Sequence, residues 1–228
     1  DHDRRGGSDR GVLLAAYKSG GRITLHMDSP LTLSLIGSVY LLGFGALSLF
    51  RRQGLSLRFA LEGLIVTALG TGLRYAGVPV HPLWFLVALY LVTMRVRLLV
   101  DLGNWFSARG QGRRAQAIYR AALIAGPDRS SRQIVLINQG VAHLRNEDPE
   151  SAYRTLTKAV ADEQVELGAV HMAAAHYNLA LAARRSGREP EAVRRLNEAL
   201  DICPNSIYGR AATKELEKGP ERDVDSGT

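Results

Sequence analysis

Pro82-Leu-Trp-Phe-Leu-Val-Ala-Leu-Tyr-Leu-Val-Thr-Met94 is uncharged, and Arg95-Val-Arg97-Leu-Leu-Val-Asp101-Leu-Gly-Asn-Trp-Phe106 follows it with charge but with no Gly or Pro before Gly103. The first stretch suits a bilayer interior; the second keeps the helical spacing of apolar residues. Together they predict one helix over residues 82–108 that starts in lipid, with Pro82 at a first helical position, and leaves it near Arg95. Upstream of this helix the chain reads as a membrane anchor, and downstream as an interaction module.

Composition divides at the same place. Residues 1–100 hold 11 Lys and Arg against 5 Asp and Glu, whereas residues 101–228 hold 18 against 17. The formal net charge of +7 and the pI near 9.8 therefore belong to the anchor half. A nucleic-acid binder would cluster its positive charge on the soluble module, so nucleic acid is set aside as a partner. The single cysteine, Cys203, excludes an intramolecular disulfide and a cysteine-cluster metal site.

Three apolar runs predict three spans, over residues 31–50, 59–75 and 82–100. The first holds 20 residues without a charge, which at 1.5 Å each reaches roughly 30 Å, the thickness of the hydrocarbon core. The second is interrupted by Glu62 and closed by Arg74; Glu62 stands one helical turn after Arg58, where the two pair at the interface. Ser34 and Ser38, and Ala68 and Gly72, repeat at the i, i+4 spacing that lets helices approach closely. Arg51, Arg52 and Arg58 lie in the first connection and Arg95 and Arg97 at the last exit. This bias predicts the N-terminus outside and residues 101–228 in the cytoplasm. The arginine-rich style points to a bacterial inner membrane. Residues 1–30 read as a poorly ordered tail, within which Met27-Asp-Ser-Pro would make a natural start, and residues 218–228 as a disordered one.

Past the third span the chain repeats itself. Leu99, Leu102-Gly103, Phe106, Gly110, Ala115, Tyr119, Ala122 and Pro127 form a first copy, Leu136, Gly140, His143, Ala152, Leu156 and Ala159 a second, and Leu179-Ala180, Gly187, Ala192, Leu196, Ala199 and Pro204 a third, at offsets of 37 and 40 residues. The pattern resembles the tetratricopeptide repeat, a pair of antiparallel helices of about 34 residues. The spacings have a cause: Gly103, Gly140 and Ala180 are small where the two helices of a hairpin cross, and Ala115, Ala152 and Ala192 face them. Gly110 and Gly187 provide left-handed caps, while the second copy has Glu147 there.

The fold expected is all-α, with three transmembrane helices followed by a tetratricopeptide-type α-solenoid of three hairpins plus a capping helix. The array occupies residues 96–217, with repeats at 96–129, 133–166 and 173–206 and the capping helix at 207–217. Residues 167–172 are extra relative to the repeat and lengthen a helix or loop.

Six scattered histidines offer no metal geometry; the closest pair, His171 and His176, stands about 140° apart around a helix. No nucleophile elbow, phosphate loop or metalloprotease motif occurs, so no cofactor and no enzymatic activity are expected. The resemblance implies instead a concave groove lined by the first helix of each hairpin that takes a protein or peptide partner. The matching positions are Val100, Asp101, Asn104, Asn138, Val141, Arg145, Tyr177, Asn178, Leu181 and Arg185, with Asn138 and Asn178 where the family often bonds a ligand's backbone. Val100 and Tyr177 stand where the family's basic clamp for chaperone C-termini would be, so that ligand is not implied. The function expected is a membrane-anchored adaptor for a protein partner. The alternative is an accessory or assembly subunit whose spans pack against other membrane subunits.

Overall fold

A computed structural model describes residues 30–50, 57–162, 165 and 167–219. The N-terminal tail with Met27, the arginines Arg51 and Arg52 and the tail from residue 220 lie outside the described residues. All the regular structure described is helical: α1 Pro30–Phe50, α2 Leu57–Tyr75, α3 Pro82–Ala108, α4 Gly112–Ile124, α5 Arg129–Arg145, α6 Pro149–Val160, α7 Ala169–Arg185, α8 Glu189–Ile202 and α9 Ile207–Lys218.

The first three helices pack against one another as a bundle. Its core is Leu33, Tyr40, Phe85 and Leu89, flanked by Phe44, Phe59 and Val66. Among the described residues, α3 is the helix long and apolar enough to cross a bilayer; in α1 the apolar stretch described runs Leu31–Leu47. Helix α2 carries Arg58, Glu62 and Arg74 within its length.

The small residues that let the bundle close are not those expected. Ala68, Gly72 and Ser38 are exposed, whereas Gly63, Thr67 and Gly70 are buried on α2. Gly70 lies under the Phe85 ring, and Thr67 returns its hydroxyl to the Gly63 carbonyl at 2.7 Å. Ser34 does reach across, to Thr71 at 3.0 Å, and Tyr40 bonds Thr93 at 2.7 Å. On helices that are apolar almost all round, small residues occur on both faces, and periodicity does not say which face is covered.

Helix α3 is continuous through Met94 and Arg95 and becomes the first helix of the array. His81 caps it by accepting the Leu83 N–H at 3.2 Å, and Pro82 opens it. The hairpins are α3–α4, α5–α6 and α7–α8, with α9 packed on α8 and α7. At the crossings, Gly103 meets the ring of Tyr119 and Gly140 meets Leu156. Ala115, Tyr119, Ala122, Ala152, Leu156, Ala192 and Leu196 are buried as the spacing requires.

One core expectation is corrected. Leu102 is 45% exposed, while Val100, assigned to the groove, is 6% exposed and packs with Ala115 and Tyr119. Leu98, Leu99, Val100 and Leu102 together ring the helix, and the covered face is set by where α4 lands. The extra residues fall at the α6–α7 connection and the first turn of α7, which begins at Ala169.

Candidate functional site: the inner face of the helical array

The first helices of the hairpins lie side by side, α3 against α5, α5 against α7 and α7 against α9, and so build one continuous face. Their turns are set locally. Asp128 caps α5 by accepting the Ser131 N–H at 2.7 Å, and Asp148 caps α6 through Ser151 at 3.1 Å.

On α3, Asp101 is exposed and Asn104 half-buried, but the Asn104 Oδ1 accepts the hydroxyl of Tyr119 at 2.7 Å. This bond joins the two helices of the first hairpin, so Asn104 has a structural task as well as a place at the groove edge. Burial pushes the Tyr119 phenol up to about 12, so it stays a donor across the physiological range.

On α5, Asn138 and Val141 are half-buried and Arg145 exposed. Asn138 donates Nδ2 to the Ile134 carbonyl at 2.8 Å, one turn back. On α7, Arg185 is exposed and donates to the Leu144 carbonyl at 3.2 Å, bridging α7 and α5 across the face. Leu181 packs against the cluster of Leu144, Leu156 and Leu179.

Besides Val100, two expected groove residues are engaged elsewhere. Asn178 is 9% exposed and gives its Nδ2 to Ala174 O at 2.7 Å; it stands one position before the buried Leu179 and Ala180, and the closing of α7 on its neighbours covers it. Tyr177 is half-buried against α9, its ring centroid 6.0 Å from that of Tyr208. The face that remains open is therefore Asp101, Asn104, Asn138, Val141, Arg145, Leu181 and Arg185.

A second concavity went unread in the sequence. Thr157 and Val160 of α6 with Ala161 just past its end, Met172 and His176 of α7, and Arg194, Arg195 and Glu198 of α8 line a cleft on the side of the second helices. His176 Nδ1 stands 2.7 Å from Glu198 Oε2. Burial holds its pKa below the usual histidine value despite that carboxylate. Both arginines are engaged by Glu191 and Glu198, Arg195 at 3.3 and 2.9 Å and Arg194 at 3.2 and 3.1 Å. The i, i+3 and i, i+4 spacing of these residues on α8 could have announced the network. His143 Nδ1 stands 3.4 Å from Asp148 Oδ2. Among the described residues, no group of three His, Cys, Asp or Glu could hold a metal ion.

Residues 131–205 match the tetratricopeptide repeat family. The match covers α5 to α8, the second and third hairpins, and the first hairpin continues the array with the same glycine-at-crossing geometry. No curated protein and no solved structure matches the chain. Tetratricopeptide repeats generally bind protein partners, and the match supports a protein–protein interaction role for these repeats.

Proposed function

We propose that the protein is a non-enzymatic, membrane-anchored adaptor whose array presents its inner face to a protein or peptide partner. The observation that carries this is α3, one helix that is uncharged over its first half and forms the first element of the array with its second half. The outer surface of the bundle supports it: Leu35, Val39 and Leu42 on α1, Leu64, Ile65 and Leu69 on α2, and Leu83, Trp84 and Leu91 on α3 are all more than half exposed. Such contiguous apolar surface requires a covering, and lipid supplies it on all sides. In this reading three helices span, the array is cytoplasmic, the N-terminus is outside, and the home is a bacterial inner membrane. A reporter fused after Gly219 is active in the cytoplasm; activity confined to the outside would overturn the orientation and the number of spans.

The partner side is tested on the open face. Asn138→Ala, Arg145→Ala and Arg185→Ala together weaken capture of the partner in pull-downs, with about 0.5 kcal/mol or less of stability lost at each of the two exposed arginines. Unchanged capture would return these residues to a solvated face. The exposed Ala68 and Gly72 on α2 favour a second reading, an accessory subunit whose bundle packs against other membrane helices. Retention of membrane subunits after deletion of residues 130–228 would establish it over the adaptor.

A further inference from the structure

The return turn of the first hairpin ends against the bundle. Arg95 donates Nε to the Ala125 carbonyl at 2.9 Å while its other nitrogens hold the Glu62 carboxylate at 2.5 and 2.7 Å. The guanidinium of Arg58 lies beside Gly126, its Nη2 2.7 Å from where a Cβ there would stand. Arg58 and Glu62 occupy the first turns of α2, at the end of the bundle that faces the array. Helix α4 runs back along the second half of α3, so its last residue arrives at the level where the apolar surface of the bundle stops.

That last residue is Ile124, and it is 84% exposed, more than any other large apolar side chain described. Exposed arginines flank it in the chain: Arg120 one turn earlier on the same face of α4, and Arg129 and Arg132 in the first turn of α5 just beyond the connection. The acidic residue of the turn, Asp128, is spent on capping α5. An isolated exposed isoleucine flanked by three arginines, fixed at the rim of an apolar bundle, has the chemistry of an interfacial anchor: an apolar side chain for the acyl boundary and cations for anionic headgroups.

We propose that the α4–α5 turn rests on the bilayer surface, with Ile124 in the headgroup–acyl boundary and Arg120, Arg129 and Arg132 on anionic phospholipid headgroups. The array is then held to the membrane at two points, the helix α3 and this turn, and cannot swing about α3. The inference rests on the bundle lying in lipid, and its test separates the two.

The full chain carrying Cys203→Ser receives a single cysteine, Leu64→Cys on the outer face of α2, Ile124→Cys, or Arg113→Cys near the start of α4. Residue 113 lies on the same helix as 124, about 16 Å away. Each is labelled with an environment-sensitive fluorophore and reconstituted in phosphatidylglycerol vesicles with brominated acyl chains. Strong quenching at 64, clear quenching with a blue shift at 124 and none at 113 is the expected result. Quenching at 64 with 124 as water-exposed as 113 would overturn the surface anchor and leave the membrane bundle standing. No quenching at 64 would overturn both. Zwitterionic phosphatidylcholine vesicles, or Arg129→Gln with Arg132→Gln, reduce the signal at 124 several-fold; an unchanged signal would overturn the role of the headgroups. Quenching at 124 that tracks protein density at fixed lipid would assign the turn to a second copy of the chain and overturn the proposal.

Discussion

Gly103 is the residue on which the first hairpin closes. A Cβ there would stand 2.6 Å from Tyr119 Cε1, and the Tyr119 ring is fully buried and bonded to Asn104, so it has nowhere to retreat. Gly103→Ala is therefore expected to destabilise the array by about 1–3 kcal/mol through overpacking, against the gain in helix propensity of at most about 1 kcal/mol. A thermal melt followed by circular dichroism reads the difference; a raised melting temperature would show that the crossing has slack. Glu147 is the opposite case. It takes φ 57, where the other hairpin turns use Gly110 at φ 69 and Gly187 at φ 73. A side chain in that region costs about 1–2 kcal/mol, and glycine removes the cost while adding freedom to the unfolded chain. Glu147→Gly is expected to stabilise by up to about 1 kcal/mol in denaturant titration, and a destabilised variant would mean that the Glu147 side chain makes a favourable contact of its own.

At the scale of elements, α3 decides how the array is held. Inserting one alanine after Arg97 rotates the second half of α3 by about 100° and lifts it about 1.5 Å, whereas four alanines nearly restore the phase. Spin labels on Leu64→Cys and Arg145→Cys are expected to report a changed distance with one alanine and a largely recovered orientation with four. The insertions also carry Ala125 away from Arg95, so the recovered state keeps the helix phase but loses the bond from Arg95 to the Ala125 carbonyl. Identical broad distances in both variants would show that the array hangs from a hinge. The hairpins were legible in the sequence because their crossings demand small residues at fixed intervals, and Gly103, Gly140 and Ala180 report that demand directly. The covered face of α3 was not legible, because Leu98, Leu99, Val100 and Leu102 give a helix little contrast between its sides. Nor was the clasp of Arg95 on Glu62, made between residues 33 apart whose meeting depends on how α2 and α3 pack. Of the groove, exposed Arg145 and Arg185 could be placed from their repeat positions alone. The burial of Asn178 depends on how α7 closes on its neighbours, which no local pattern encodes.

Across the whole molecule, each hairpin contacts only its neighbours, so stability passes along the array through the interfaces between them. Arg184, at the end of α7, reaches Glu189 at the start of α8 at 2.8 Å and Glu215 of α9 at 3.1 Å, and so fastens the last hairpin to the closing helix. The last hairpin also contains His176, which shares a cleft with Thr157 and Val160 of α6 and Ala161 just past its end, and with Glu198, Arg195 and Arg194 of α8. Burial lowers the pKa of this histidine, and of His143, below the ordinary value of about 6.5. Below that value the unfolded chain takes up protons that the folded array resists, so stability is complete above about pH 6.5 and falls as the pH drops toward the folded values. The carboxylate of Glu198 works against this loss without reversing it. Melting temperatures taken between pH 7.5 and 5 are expected to decline for the natural chain and to decline less for His176→Gln, which cannot take up the proton. Equal slopes for the two proteins would mean that His176 is solvated in the folded state, and that the packing of α6, α7 and α8 around it is looser than the structure shows.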